Sequence, residues 1–284
     1  MRRTLLVMAV VLLLVAAVGV YFAFRQIRPQ LPISLGSGCD VRTASGAVHL
    51  EDEQMANAAT IAAVGISRTL PDRAVLVALA TALQESELFN LSGGDRDSVG
   101  LFQQRPSMGW GSVDDIQDPR YAARAFYNQL VRIPGWEELR VTEAAQQVQR
   151  SAFPEAYEKW VEEATVLSEA LVGQSPGAVT CTHSDQPAAR GPAAAAALAD
   201  RLRYDWGDNV ATRPPSGLVG LEVPAADTRT GWQYAHWLVA HSTEQGVASV
   251  RFDGQAWAAD SGKWSQVTAN PDDAGHVVAA VYSG

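Results

Sequence analysis

The chain has only two cysteines in 284 residues, Cys39 and Cys181, far apart and without Cys-x-x-Cys spacing. That excludes a zinc ribbon, a thioredoxin-type redox pair and a disulfide-dense mini-scaffold. Histidine is also scarce, with five in all, and His236 and His241 stand five apart. Two ligands on one helix face need a spacing of three or four, so no metal is expected, nor any cofactor. Charged residues make up 19% of the chain, and Lys and Arg nowhere form a cluster. Without one, nucleic acid is excluded as a partner, because phosphate binding depends on grouped cations.

What is present is apolar. Hydrophobic residues reach 47%, enough for real cores, and the length suits two domains. Charge is uneven: residues 1–48 hold five of the 22 basic residues and one of the 31 acidic ones, so the remainder is strongly acidic. Thr4 to Phe24 contains no charge and closes on Tyr21, Phe22 and Phe24. At about 1.5 Å per residue this run matches a bilayer's hydrocarbon thickness of about 30 Å. It predicts a single-pass anchor to the cytoplasmic membrane through residues 4–24, a cleaved signal peptide being the alternative. Two lone cysteines most economically form one structural disulfide, Cys39–Cys181, which places the body outside the cytoplasm. The other reading is two unrelated buried thiols.

Five segments follow from the patterning: an anchor (1–28), a Pro/Gly/Ser-rich tether (29–48), a helical domain (49–172), a second linker (173–192) and a small α+β accessory domain (193–284). Within the helical domain, Pro71 opens a helix that is apolar nearly all round, the mark of a central buried helix. Glu85 lies near its end. Stepping back by helical spacing reaches Ala82 and Ala78, so the acid shares a face with small apolar side chains. Burial of that kind raises a carboxyl pKa and suits proton donation to a glycosidic oxygen.

Glu85-Ser86, followed by Ser98-x-Gly100-Leu101-Phe102-Gln103, resembles the signature of the lytic transglycosylase branch of the lysozyme superfamily over about residues 50–170. The resemblance implies an all-α lysozyme-like domain acting on peptidoglycan glycan strands. Glu85 would be general acid and then general base, with Ser86, Ser98 and Gln103 orienting acid and sugar. Phe102, Gln104 and Tyr127 are further candidates for the cleft. Most glycosidases use two carboxylates, whereas this branch is thought to manage with one, and Asp95 and Asp97 are candidates for a second. The family's Ala-x-x-Tyr-Asn-x-Gly motif has no match: the corresponding stretch reads AAQQVQRSAFPEAY. That gap leaves a rival, a catalytically lapsed glycan-binding scaffold. Trp110, among glycines, is either a sugar-stacking or a packed aromatic. The tail, with Trp237, GVASVRFDGQAW and His276, resembles a C-terminal domain of secreted actinobacterial cell-wall proteins.

Overall fold

The computed structural model describes residues 37–151, 153, 155–183, 189–268 and 274–284. Two short strands open it, β1 (Gly38–Thr43) and β2 (Gly46–Leu50), joined by a tight turn. Helix α1 (Asp52–Ser67) follows, its start fixed by a reciprocal cap in which the Glu51 carboxylate and the Gln54 amide each take a backbone N–H of the other. Helix α2 (Asp72–Ser86) comes next and is buried along most of its length by Ala74, Val75, Ala78, Leu79, Ala82 and Leu83. Small side chains let neighbours approach closely, and α1, α4 (Pro119–Leu130), α5 (Val141–Gln149) and α6 (Val161–Leu171) all pack on it. A short helix α3 (Val113–Gln117) leads into α4.

The second half contributes β3 (Val179–Thr182), α7 (Gly191–Trp206), β4 (Gly220–Pro224), α8 (Thr228–Ala240), α9 (Ser242–Gln245), β5 (Val247–Phe252), β6 (Gln255–Ala258), β7 (Lys263–Gln266) and β8 (His276–Val281). Two antiparallel sheets result, ordered β2-β1-β3 and β4-β8-β5-β6-β7. Their pairing overturns the expected fold class. An all-α lysozyme-like domain tethered to a separate α+β domain is not what forms. Residues 36–284 make one mixed α/β unit, with a continuous apolar core running from Cys39 to Val281.

The reason lies in the stretches expected to be linkers. β1 comes from the first and β3 from the second, and they pair with Cys39 opposite Cys181, joined by a disulfide with an S–S distance of 2.06 Å. Both halves also meet directly. Thr60 of α1 donates to Asp205 of α7 at 2.8 Å, and the indole N–H of Trp237 on α8 donates to the same carboxylate at 3.0 Å. Strands of four to six residues flanked by Gly38, Gly46 and Gly177 carry too little alternation to stand out from a Gly/Ser-rich tether.

Membrane anchoring is corrected as well. Among the described residues no helix is long and apolar enough to cross a membrane. The longest, α1 and α7, have 16 residues each, and at about 1.5 Å per residue they fall short of the roughly 30 Å of bilayer hydrocarbon. The expected span over residues 4–24 lies outside the described residues, and no membrane location is assigned.

Candidate active site

Glu85 sits in the last turn of α2, half-buried, with its helix ending at Ser86 and capped by Glu87 in the left-handed conformation. The phenol of Tyr157 donates to Glu85 Oε1 at 2.7 Å. Among the described residues Oε2 has no protein hydrogen-bond partner. Burial raises the Glu85 pKa above the ordinary carboxylate range, and the Tyr157 bond, which favours the charged form, pulls against it. Tyr157 is itself buried, and its own pKa is pushed upward by burial and by the neighbouring carboxylate. Beside it the indole of Trp160 donates to Gln84 at 3.0 Å, fixing the residue next to the acid.

The loop that follows α2 is built to fold back under this acid. Ser86 Oγ bonds the carbonyl of Leu101 at 2.7 Å and that of Ala82 at 3.1 Å, so it ties the helix end to the loop. Val99 and Gln104 exchange backbone hydrogen bonds across a tight turn in which Gly100 has φ 78° and Gln103 φ 45°. A Cβ at Gly100 would stand 2.7 Å from the Ile116 carbonyl, so the turn needs glycine there. Ser98 is buried and bonds the Asp95 carbonyl at 2.7 Å, which makes it a loop brace. The Gln103 amide turns back to the Gly100 carbonyl at 3.2 Å.

Three expected cleft residues are placed in the interior. Gln104 is buried and donates to the Ala122 carbonyl at 3.1 Å. Phe102 is buried and stacks on Phe126 with ring centres 4.7 Å apart. Tyr127 is buried, and its hydroxyl is taken up by the Ile61 carbonyl at 2.9 Å. These three side chains hold α4 and the loop against α1 and α2. Asp97 is committed too, accepting from Arg105 at 2.7 Å and from the Ser107 N–H at 2.8 Å, and these bonds hold its pKa well below the usual range. Asp95 points to solvent with 91% of its side chain exposed.

Tyr157 is the residue that sequence reading missed. The family motif directs attention to the helix that becomes α5, but the tyrosine that reaches the acid comes from the turn preceding a short 3₁₀ helix, Glu158–Trp160. The signal available was the aromatic pair Tyr157 and Trp160, spaced three apart in front of α6.

A cleft of about 430 Å³ has a wall that includes Gln103, Arg105, Trp110, Arg132, Gln149 and Arg150. Glu85 is not in that wall. The two adjoin through Ser151, which follows Arg150 and whose side chain hydrogen-bonds Tyr157. Trp110 is half-buried against the core, and its carbonyl accepts from Tyr121 at 3.1 Å.

The histidines of the second half are taken up structurally. His236 is fully buried between the Ala170 carbonyl at 2.8 Å and the Ala178 N–H at 3.1 Å, and burial lowers its pKa to about 4. His241 lies in the buried cluster around Asp205 and Thr60, with burial the first cause of a pKa lowered to about 4. His276 stands 3.5 Å from Glu222, which is held by Arg213 at 2.6 Å. Among the described residues no group of three or more His, Cys, Asp or Glu is placed to hold a metal ion. No protein-family model matches this chain, and no curated protein matches it.

Proposed function

We propose that this protein cleaves glycan strands of the peptidoglycan type, with Glu85 as the proton donor. The observation that carries the reading is the Tyr157–Glu85 hydrogen bond of 2.7 Å on a half-buried carboxyl whose second oxygen has no partner among the described residues. Desolvation favours the protonated form of such a group, and Tyr157 fixes one oxygen so that the other can carry the proton. Protonation of the glycosidic oxygen lets the leaving sugar depart. The resulting carboxylate then takes a proton from the attacking hydroxyl, which is either water or the substrate's own 6-hydroxyl.

Asp97 is held by Arg105 and Asp95 is exposed, so neither is posed as a second carboxylate, which favours the intramolecular route and a 1,6-anhydro end. Tyr157 occupies the role that the missing Tyr-Asn pair left open, so the enzymatic reading is preferred to the lapsed scaffold. Incubating the protein with purified peptidoglycan and identifying the products by mass spectrometry tests both points. Anhydro-muropeptides are expected from the wild type. Glu85→Gln should lower the rate about 10²–10⁴-fold, because the amide keeps the shape and loses the proton. Equal rates in the two proteins would show that Glu85 is not the donor, and binding without any product would leave the scaffold.

A further inference from the structure

We infer that the arginine-lined cleft binds carboxylate groups, so that the strand this protein acts on carries acidic substituents; the inference rests on the glycan-cleaving reading above. Arg105, Arg132 and Arg150 converge on this one cleft, and no Asp or Glu is in its wall. That is unexpected in a chain with a net charge of −9. Arg105 is neutralised in part by Asp97 at 2.7 Å. Arg132 and Arg150 are exposed, and among the described residues their guanidiniums make no ion pair and no hydrogen bond. Arg150 is held at φ 52° at the end of α5, so its direction from the helix is set by the backbone.

A guanidinium left unpaired at the edge of a cleft is suited to a carboxylate, which it binds through two parallel N–H donors. The rest of the wall fits a sugar. Gln149 ties its N–H group back to the carbonyl of Phe102 at 2.8 Å, which leaves its amide oxygen for hydroxyl or amide donors. Trp110 offers an apolar edge. Arg150 is one residue from Ser151, whose side chain begins the hydrogen-bond chain through Tyr157 to Glu85. That chain joins the cation-lined wall to the acid, so the wall would grip a substituent on a strand whose cleaved bond lies at Glu85. That carboxylate has two possible sources, the sugar's own acid group or an attached peptide.

The test uses the full chain carrying Glu85→Gln, so that binding is read without turnover, with and without the double change Arg132→Gln and Arg150→Gln. Three probes are titrated by calorimetry: peptide-bearing glycan strands, strands stripped of peptide so that the sugar carboxylates are free, and a neutral N-acetylglucosamine oligomer. Loss of the arginines should weaken binding of an acidic strand about tenfold or more, flatten its salt dependence, and leave the neutral oligomer unchanged. Weakening of the stripped strands assigns the site to the sugar carboxylate, and weakening confined to peptide-bearing strands assigns it to the peptide. Equal affinities with and without the arginines, or an equal loss on the neutral oligomer, would overturn the inference. Cleavage is followed separately with Glu85 intact. Failure to cut any strand, with arginine-dependent binding preserved, would count against the glycosidase and not against the cleft's ligand.

Discussion

In the proposed reaction Glu85 must hold a proton and still release it, and two neighbours set that balance in opposite directions. Burial disfavours the carboxylate, while the Tyr157 hydroxyl favours it. Activity that needs the protonated acid is full below the folded-state pKa and falls as pH rises through it. Tyr157→Phe removes the influence that lowers this pKa, so the alkaline limb of the kcat/KM profile should move to higher pH while the maximal rate drops. A limb that stays put would show that the hydroxyl does not act on the acid. His236 supplies a second residue-scale prediction, with the opposite sign. Its folded pKa of about 4 lies below the ordinary histidine value, so the unfolded chain takes up the proton first. Stability is therefore present above about pH 6.5 and declines as pH falls toward 4, on the order of 3 kcal/mol from this one side chain. Urea unfolding of wild type and His236→Gln between those pH values checks it: the variant should be weaker at pH 7 and show a flatter acid limb.

Elements in this protein meet closely where glycine permits it. On α1, a Cβ at Gly65 would come within 2.7 Å of the Tyr127 hydroxyl oxygen and 3.1 Å of Val75. Gly65→Ala should gain a little helix propensity yet cost about 1–3 kcal/mol net, because the tyrosine must leave the Ile61 carbonyl or α4 must shift. A lowered urea midpoint with an unchanged slope is the expected result. The same contact explains what the sequence could and could not disclose. Periodicity locates α1, α2 and α4 well, and it places Glu85 beside Ser86 and the 98–104 turn, because these lie within some twenty residues of one another. It cannot say that the Tyr127 hydroxyl is spent on a backbone carbonyl or that Phe102 is stacked inward, since an aromatic at helical spacing serves a core or a cleft equally well. Tyr157 escaped because its partner is 72 residues away. The β1–β3 pairing escaped for the same reason, being a long-range contact between two short polar strands.

For the whole molecule, the Cys39–Cys181 bond is the widest constraint. Closing so long a loop limits the unfolded chain, and Cys39→Ser with Cys181→Ser should cost about 2–5 kcal/mol, read as a drop in unfolding free energy that reduction of the wild type reproduces. An unchanged midpoint would show the bond to be dispensable. The bond also divides the chain topologically. Everything from β2 through α6, with Glu85, Tyr157 and the arginine-lined cleft, lies on a covalent ring, and the five-stranded sheet hangs from that ring as an open tail. A protease that cuts once inside the ring releases nothing: the nicked protein runs as one species until a reductant separates the pieces. A single cut in the tail gives two pieces on a denaturing gel without any reductant. The part that carries the proposed chemistry is thus the part that survives nicking in one piece, provided its surroundings stay oxidising.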